Sequence, residues 1–419
     1  MRPLPFRASV SFRAPSRRFP RLWSGYTISV VGSQVTVLAL PLTAILVLGG
    51  GATQTGILVA ARTLPIVLVG PLIGVYVDRH PRRPVLVASA LASALVIGSV
   101  PVAAVLHLLT LAQLYLVALL AGGFAVAAQL AQGAIVPGLV GREELVRANA
   151  RLQSSDSVAQ VAGPSLGGAL VQALTAPVAM AVDAVSFVAS AMLFATIRID
   201  ERSTPRAERR RFWHEIADGL ASVRAEPIVM RAIVAIALAN IEWFAVQAIL
   251  VVYATNDLAL SPAVLGLALA AVGPFSILGS VIAGPVISRY GLGPTMILGL
   301  ALEAASRLVL PFAGGGELRA AAVLAFTQAL VGLTVPFWSI SFRSLLQAVT
   351  PDRLLGRVTA ASNVMQWSVS PPAALLAGIA ATAVGMRPTI LVAGLIALVA
   401  VTYLVASPVR SYRSPSRLA

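Results

Sequence analysis

Along most of its length the chain alternates apolar runs of about 20 residues, the length that crosses a hydrocarbon layer as helix, with short polar turns. Such runs fall at 22–47, 53–77, 84–107, 110–134, 153–174, 177–197, 228–252, 262–287, 294–313, 318–341, 361–384 and 387–407. The pattern predicts an all-α membrane protein of twelve transmembrane helices. Its direction is set by the turn GVYVDRHPRRPVL, residues 74–86. Asp78, Arg79, Arg82 and Arg83 cannot lie cheaply in hydrocarbon, so the chain surfaces here. The three arginines fix this turn on the cytoplasmic side, and the alternation then puts both termini inside. The motif returns about 210 residues later as GPVISRYGLGP, residues 284–294, which predicts a duplicated unit. The resulting division is a cytoplasmic arm at 1–21, a six-helix half at 22–197, a linker at 198–227, a second half at 228–407 and a cytoplasmic tail at 408–419.

Composition agrees with the pattern. Of the 419 residues 58% are apolar and 11% charged, and the mean hydropathy is +0.88, against about one quarter charged residues in soluble domains. The net charge of +15 does not mark a nucleic-acid surface, because the arginines sit between apolar runs and not on one folded face. Arg319 and Arg387 fall on the side opposite to the other loop arginines, and Arg62 and Arg307 lie within spans. The chain has no cysteine, and its scattered His80, His107 and His214 do not form a metal-ligand pattern, so no cofactor or metal is implied. The absence of a GxxxxGK[ST] loop excludes that form of direct ATP use. SRRFPRL, Ser16 to Leu22, superficially matches a twin-arginine export signal, but the apolar run behind it is too long for a signal segment.

The linker divides into a charged stretch, DERSTPRAERRR, and FWHEIADGLASV. The latter places Phe212, Trp213, Ile216, Leu220 and Val223 at spacings compatible with one helical face. A helix lying at the membrane interface and a linker helix packed on the bundle both satisfy that pattern. Within the spans, Glu303 and Arg307 are four residues apart on one helix face and are expected to neutralise each other. Arg62 and Asp183 are candidates for a second, inter-helix pair. Paired catalytic groups of the Ser–His kind are absent from the spans, which argues against an intramembrane enzyme.

Two six-span halves joined by a polar link resemble the major facilitator superfamily, and GVYVDRHPRR is similar to that family's signature loop between the second and third spans. The resemblance implies a cytoplasmic latch made by Gly74, Asp78, Arg79, Arg82 and Arg83, which breaks as a central cavity opens inward. Ser288 stands where the echo would need a second Asp. In the fifth span GPSLGG, with Gly163, Pro164, Gly167 and Gly168, resembles the antiporter motif of exporters; its proline bends the helix and its glycines admit a neighbour. PGLVGREELVRANA from Pro137, TPDRLLGRVTAASN from Thr350 and GLASVRAEP before the seventh span are similar to the bacterial branch that holds the enterobactin and macrolide exporters.

This resemblance implies alternating access by a monomer in the plasma membrane, with a small organic substrate, lipid contacts and proton antiport. An importer or lipid transporter on the same fold, or a non-transporting sensor, remains the alternative. Because spans one, four, seven and ten line the cavity in the family, Glu242 of NIEWF is the leading proton carrier, followed by Asp183, Glu303 and Asp156. Gln34, Gln129, Gln132, Asn240, Trp338, Asn363 and Gln366 are the polar and aromatic cavity candidates. Two departures stand out: the fourth span lacks the arginine of many proton-coupled exporters, and the first has Ser33 and Gln34 where several relatives carry an acid.

Overall fold

The computed structural model describes residues 18–197, 220–224 and 226–413, and every regular element among them is helical. The first half contains α1 (Arg18–Leu46), α2 (Ala52–Leu68), α3 (Gly70–Arg79), α4 (Arg82–Val105), α5 (Leu111–Leu139), α6 (Leu145–Leu174) and α7 (Ala176–Ala195). In the second, α8 (Pro227–Val252) runs into a π-helical turn, Tyr253–Asp257. It is followed by α9 (Pro262–Ala270), α10 (Val272–Tyr290), α11 (Leu292–Val309), α12 (Glu317–Val349), α13 (Asp352–Trp367), α14 (Ser370–Val384) and α15 (Met386–Val405).

Ten helical stretches among the described residues are long and apolar enough to cross a membrane. The other two expected spans fall short for identifiable reasons. The stretch at 53–77 breaks at Val69, just before Pro71, into α2 and α3, while α6 is long but diluted by Arg, Ser, Gln and Gly. The spans α9–α10 and α13–α14 are interrupted ahead of Pro274 and Pro371, where proline cannot continue the hydrogen-bond ladder. Helix α1 begins at Arg18, inside the stretch assigned to the arm. Most of the amphipathic segment at 212–223 lies outside the described residues.

The two halves repeat the same packing. Contacts α1·α7, α4·α7, α1·α6, α4·α5 and α2·α5 in the first half recur as α8·α15, α11·α15, α8·α14, α11·α12 and α10·α12 in the second. The halves meet through α2·α14 and α6·α9, which the same pseudo-two-fold exchanges. Both junctions depend on glycine. Gly56 lies against the backbone of Ala374 and Gly378, and Gly168 against Pro262 and Gly266, so closely that a Cβ would overlap main-chain atoms. Close approach of this kind is how helices gain contact in a solvent as apolar as their own side chains. Thr53 and Thr382 share a 2.8 Å hydrogen bond beside the first junction.

The apolar core is distributed unevenly. One cluster joins both halves at the end remote from the described terminal helix ends, with Leu42, Leu58, Met180, Ile249, Leu265 and Leu324 among its members. At the opposite end there are two separate clusters, one around Leu22, Leu86 and Leu152 in the first half and one around Ile233, Leu300 and Leu346 in the second. The bundle is therefore plugged at one end and split at the other.

Candidate functional site

The densest buried polar cluster belongs to the second half. Glu242 of α8 and Arg307 of α11 make a 2.7 Å contact between Oε1 and Nε, with side chains 0% and 2% exposed. The guanidinium also donates to Gln328 Oε1 of α12 at 3.4 Å and lies 5.4 Å from the ring centroid of Trp243. Glu303, one turn before Arg307, is buried as well and accepts a 2.9 Å hydrogen bond from the indole N–H of Trp338. Two buried carboxyl groups thus accompany one guanidinium, only Glu242 being in contact with it, and the set carries one excess negative charge when all three are ionised.

This geometry corrects two expectations. Arg307 takes its ion-pair partner from α8 and not from Glu303 on its own helix. Spacing of four residues gives a common face, but a long arginine side chain reaches past it to a carboxylate across the helix interface. Glu242 does not face the cavity: it is sealed between helices in this conformation.

In the first half Asp183 of α7 is fully buried and accepts hydrogen bonds from Thr36 Oγ1 of α1 at 2.5 Å and Ser186 Oγ at 3.2 Å. Gly32 permits this, since a Cβ there would overlap Ser186 and Asp183. The expected Arg62–Asp183 ion pair is not formed; the hydroxyl groups occupy the carboxylate, and the Arg62 side chain is exposed. Nearer the split end, Asp156 of α6 accepts a short hydrogen bond from Tyr26 of α1, with Gln132 of α5 beside the same hydroxyl. Trp23 donates to Ser155 Oγ at 3.0 Å, and Thr27 meets that oxygen at 2.7 Å. Asp156 therefore bonds to the first span. Tyr26, Thr27, Thr36 and Ser155 were missed by sequence reasoning; their signal was the recurrence of neutral polar residues along α1.

The motif glycines divide their contacts. Gly163 receives the Gln34 side chain of α1 and Gly167 abuts Val35, whereas Gly168 makes the junction with α9. Pro164 offers its carbonyl to the same junction, against Gly266. Among the cavity candidates, Gln129 and Asn363 are exposed and Gln34, Gln132 and Trp338 half-buried. Gln366 is buried and bonds to Ser362 at 2.6 Å, while its carbonyl accepts from Asn240 at 3.0 Å. These two residues tie α8 to α13 and do not line open space as a pair.

At the split end, α3 packs on α2, α4 and α5, all within its own half. Arg83 donates to the Ala195 carbonyl, Arg82 is also engaged, and Arg79 is exposed. Gly74 does not mark a tight contact here, since a Cβ would meet only Leu130, at 4.0 Å. The Asp78 side chain lies outside the described part of the structure.

The profile of the Major Facilitator Superfamily matches residues 22–370 and 232–418, and the chain belongs to that family. It is 26% identical to the multidrug efflux pump Tap of Mycolicibacterium fortuitum over 86% of this chain and 88% of that one. It is 22% identical to macrolide efflux protein A of Streptococcus pyogenes, covering 90% and 92%. In fold it is similar to the nucleoside transporter NupG, with TM-score 0.72, 12% identity and 93% and 98% coverage. It is also similar to a bacterial homologue of the iron transporter ferroportin in an inward-facing state, with TM-score 0.72, 19% identity and 93% and 99% coverage. The chain is a multi-pass membrane transporter and not an enzyme.

Proposed function

We propose that this transporter exports small amphipathic organic molecules from the cytoplasm across the plasma membrane by alternating access. The observation that carries this reading is the single apolar plug joining the halves at one end while separate clusters stand apart at the other. With the arginine-rich turns on the cytoplasmic side, the conformation is inward-open, and α3 makes its main contacts within its own half, as expected of a broken latch. Export is supported by the efflux relatives, and function as a monomer by the completeness of both junctions within one chain.

The coupling ion in this reading is the proton, and its binding group is the Glu242–Arg307–Glu303 cluster. One excess negative charge in a water-poor layer is neutralised by one proton, and opening of the α8–α11 interface would expose the carboxyls to the other side. The antiporter-like segment Gly163, Pro164, Gly167 and Gly168 acts as the rocking contact between α1, α6 and α9.

The test is accumulation of ethidium and labelled erythromycin in cells stripped of their own efflux pumps. Expression should lower the accumulation of at least one probe in a manner abolished by a protonophore. Raised accumulation would indicate import, and an unchanged level of both would contradict multidrug efflux.

A further inference from the structure

We propose that Arg62 is a substrate-binding residue that receives the carboxylate of an amphipathic acid at the head of the central cavity. This rests on the transport reading and adds a chemical class to it. Arg62 lies about 15 Å from the start of α2 at 1.5 Å per residue, which is near the middle of a hydrocarbon layer about 30 Å thick. A guanidinium at that depth requires a partner or water. Among the described residues it has no acidic side chain within ion-pair distance, and its own side chain is exposed.

Position 62 falls on the face of α2 that buries Thr55, Leu58 and Pro65, at intervals of three and four residues, which is the face directed into the bundle. The Arg62 backbone is pressed on Gly122 of α5 so closely that a Cβ there would overlap its carbonyl. Asp183 is buried and occupied by Thr36 and Ser186. One turn before Arg62, Leu58 belongs to the plug, with 3% exposure. The juxtaposition is an apolar roof with an accessible cation at its edge, complementary to a molecule with an apolar body and one acid group. The other intramembrane arginine, Arg307, is already held by Glu242 and closed from solvent, so it does not offer the same function.

The experiment uses the purified full chain in nanodiscs of neutral phosphatidylcholine, with 1-pyrenebutyrate and its methyl ester as fluorescent probes and empty discs subtracted. The parent should bind the acid about tenfold more tightly than the ester, the scale of one charge-assisted contact. Arg62→Gln should bring that ratio near one while leaving ester binding unchanged, and Arg62→Lys should keep most of the preference. A parent ratio near one overturns the proposal, and so does an Arg62→Gln ratio equal to the parent's. Should Arg62→Gln fail to fold, the parent ratio and its retention in Arg62→Lys decide the matter, a ratio lost despite the conserved charge counting against it. Equilibrium binding is independent of transport direction, so acid selectivity through Arg62 without efflux would reject export and keep the site. Efflux with no acid selectivity would do the reverse.

Discussion

Arg307 and Glu242 join α11 to α8 through a 2.7 Å ion pair closed from solvent on both sides, with Glu303 held by Trp338 a turn away. The surplus of carboxyl groups over guanidinium makes the cluster asymmetric. Removing the cation leaves two buried acids, whereas neutralising one acid leaves a balanced pair.

Arg307→Met is therefore expected to destabilise the protein by about 3–5 kcal/mol, the usual cost of breaking a buried pair from one side. Glu242→Gln should cost clearly less, because Glu303 remains to balance Arg307. Thermal unfolding of both variants in detergent checks the order; equal losses would mean that Glu303 does not compensate.

Coupling is tested on the same residue. In reconstituted vesicles Glu242→Gln should reduce uphill accumulation of an exported probe under a pH gradient at least about tenfold, while downhill exchange persists. Gradient-driven transport at the parent rate would move the proton site elsewhere, first to Asp156 beside Tyr26.

The fold was largely legible in the sequence because span length, arginine placement and the half-chain echo are each written in contiguous residues. The site was less so. The Glu303–Arg307 spacing correctly placed two charges on one face, but the choice between an intrahelical and an interhelical partner depends on how α8 meets α11, which no local pattern encodes. Gln366 had the polarity of a cavity residue, yet packing turned it to Ser362. The latch glycine, Gly74, makes no close contact here, since a Cβ would meet only Leu130, at 4.0 Å. By contrast Gly168 was recognisable as a close-contact residue from its cluster alone, although its partner, Gly266, was not.

At the junction of α6 with α9, Gly168→Leu should weaken the far-end seal, since the added side chain must displace the backbone of Pro262 and Gly266. Labelling of Thr53→Cys by an impermeant maleimide in intact cells should then rise about tenfold over the same variant with Gly168 intact, reporting a shifted population. Unchanged labelling would separate the two junctions mechanically.

Orientation has an equally direct test in this cysteine-free chain. Leu108→Cys, exposed in the turn after α4, should react with an impermeant maleimide from outside intact cells, and His80→Cys, exposed after α3, only after the cells are opened. The opposite pattern would invert the topology.

Alternating access itself is tested most directly at Thr53 and Thr382, whose hydroxyl oxygens lie 2.8 Å apart across the α2–α14 junction. In the Thr53→Cys/Thr382→Cys variant, oxidation should link the halves at the far end and stop export of the probe, and reduction should restore it. Linked protein that exports at the rate of its reduced form would show that this junction never opens, and would contradict the mechanism.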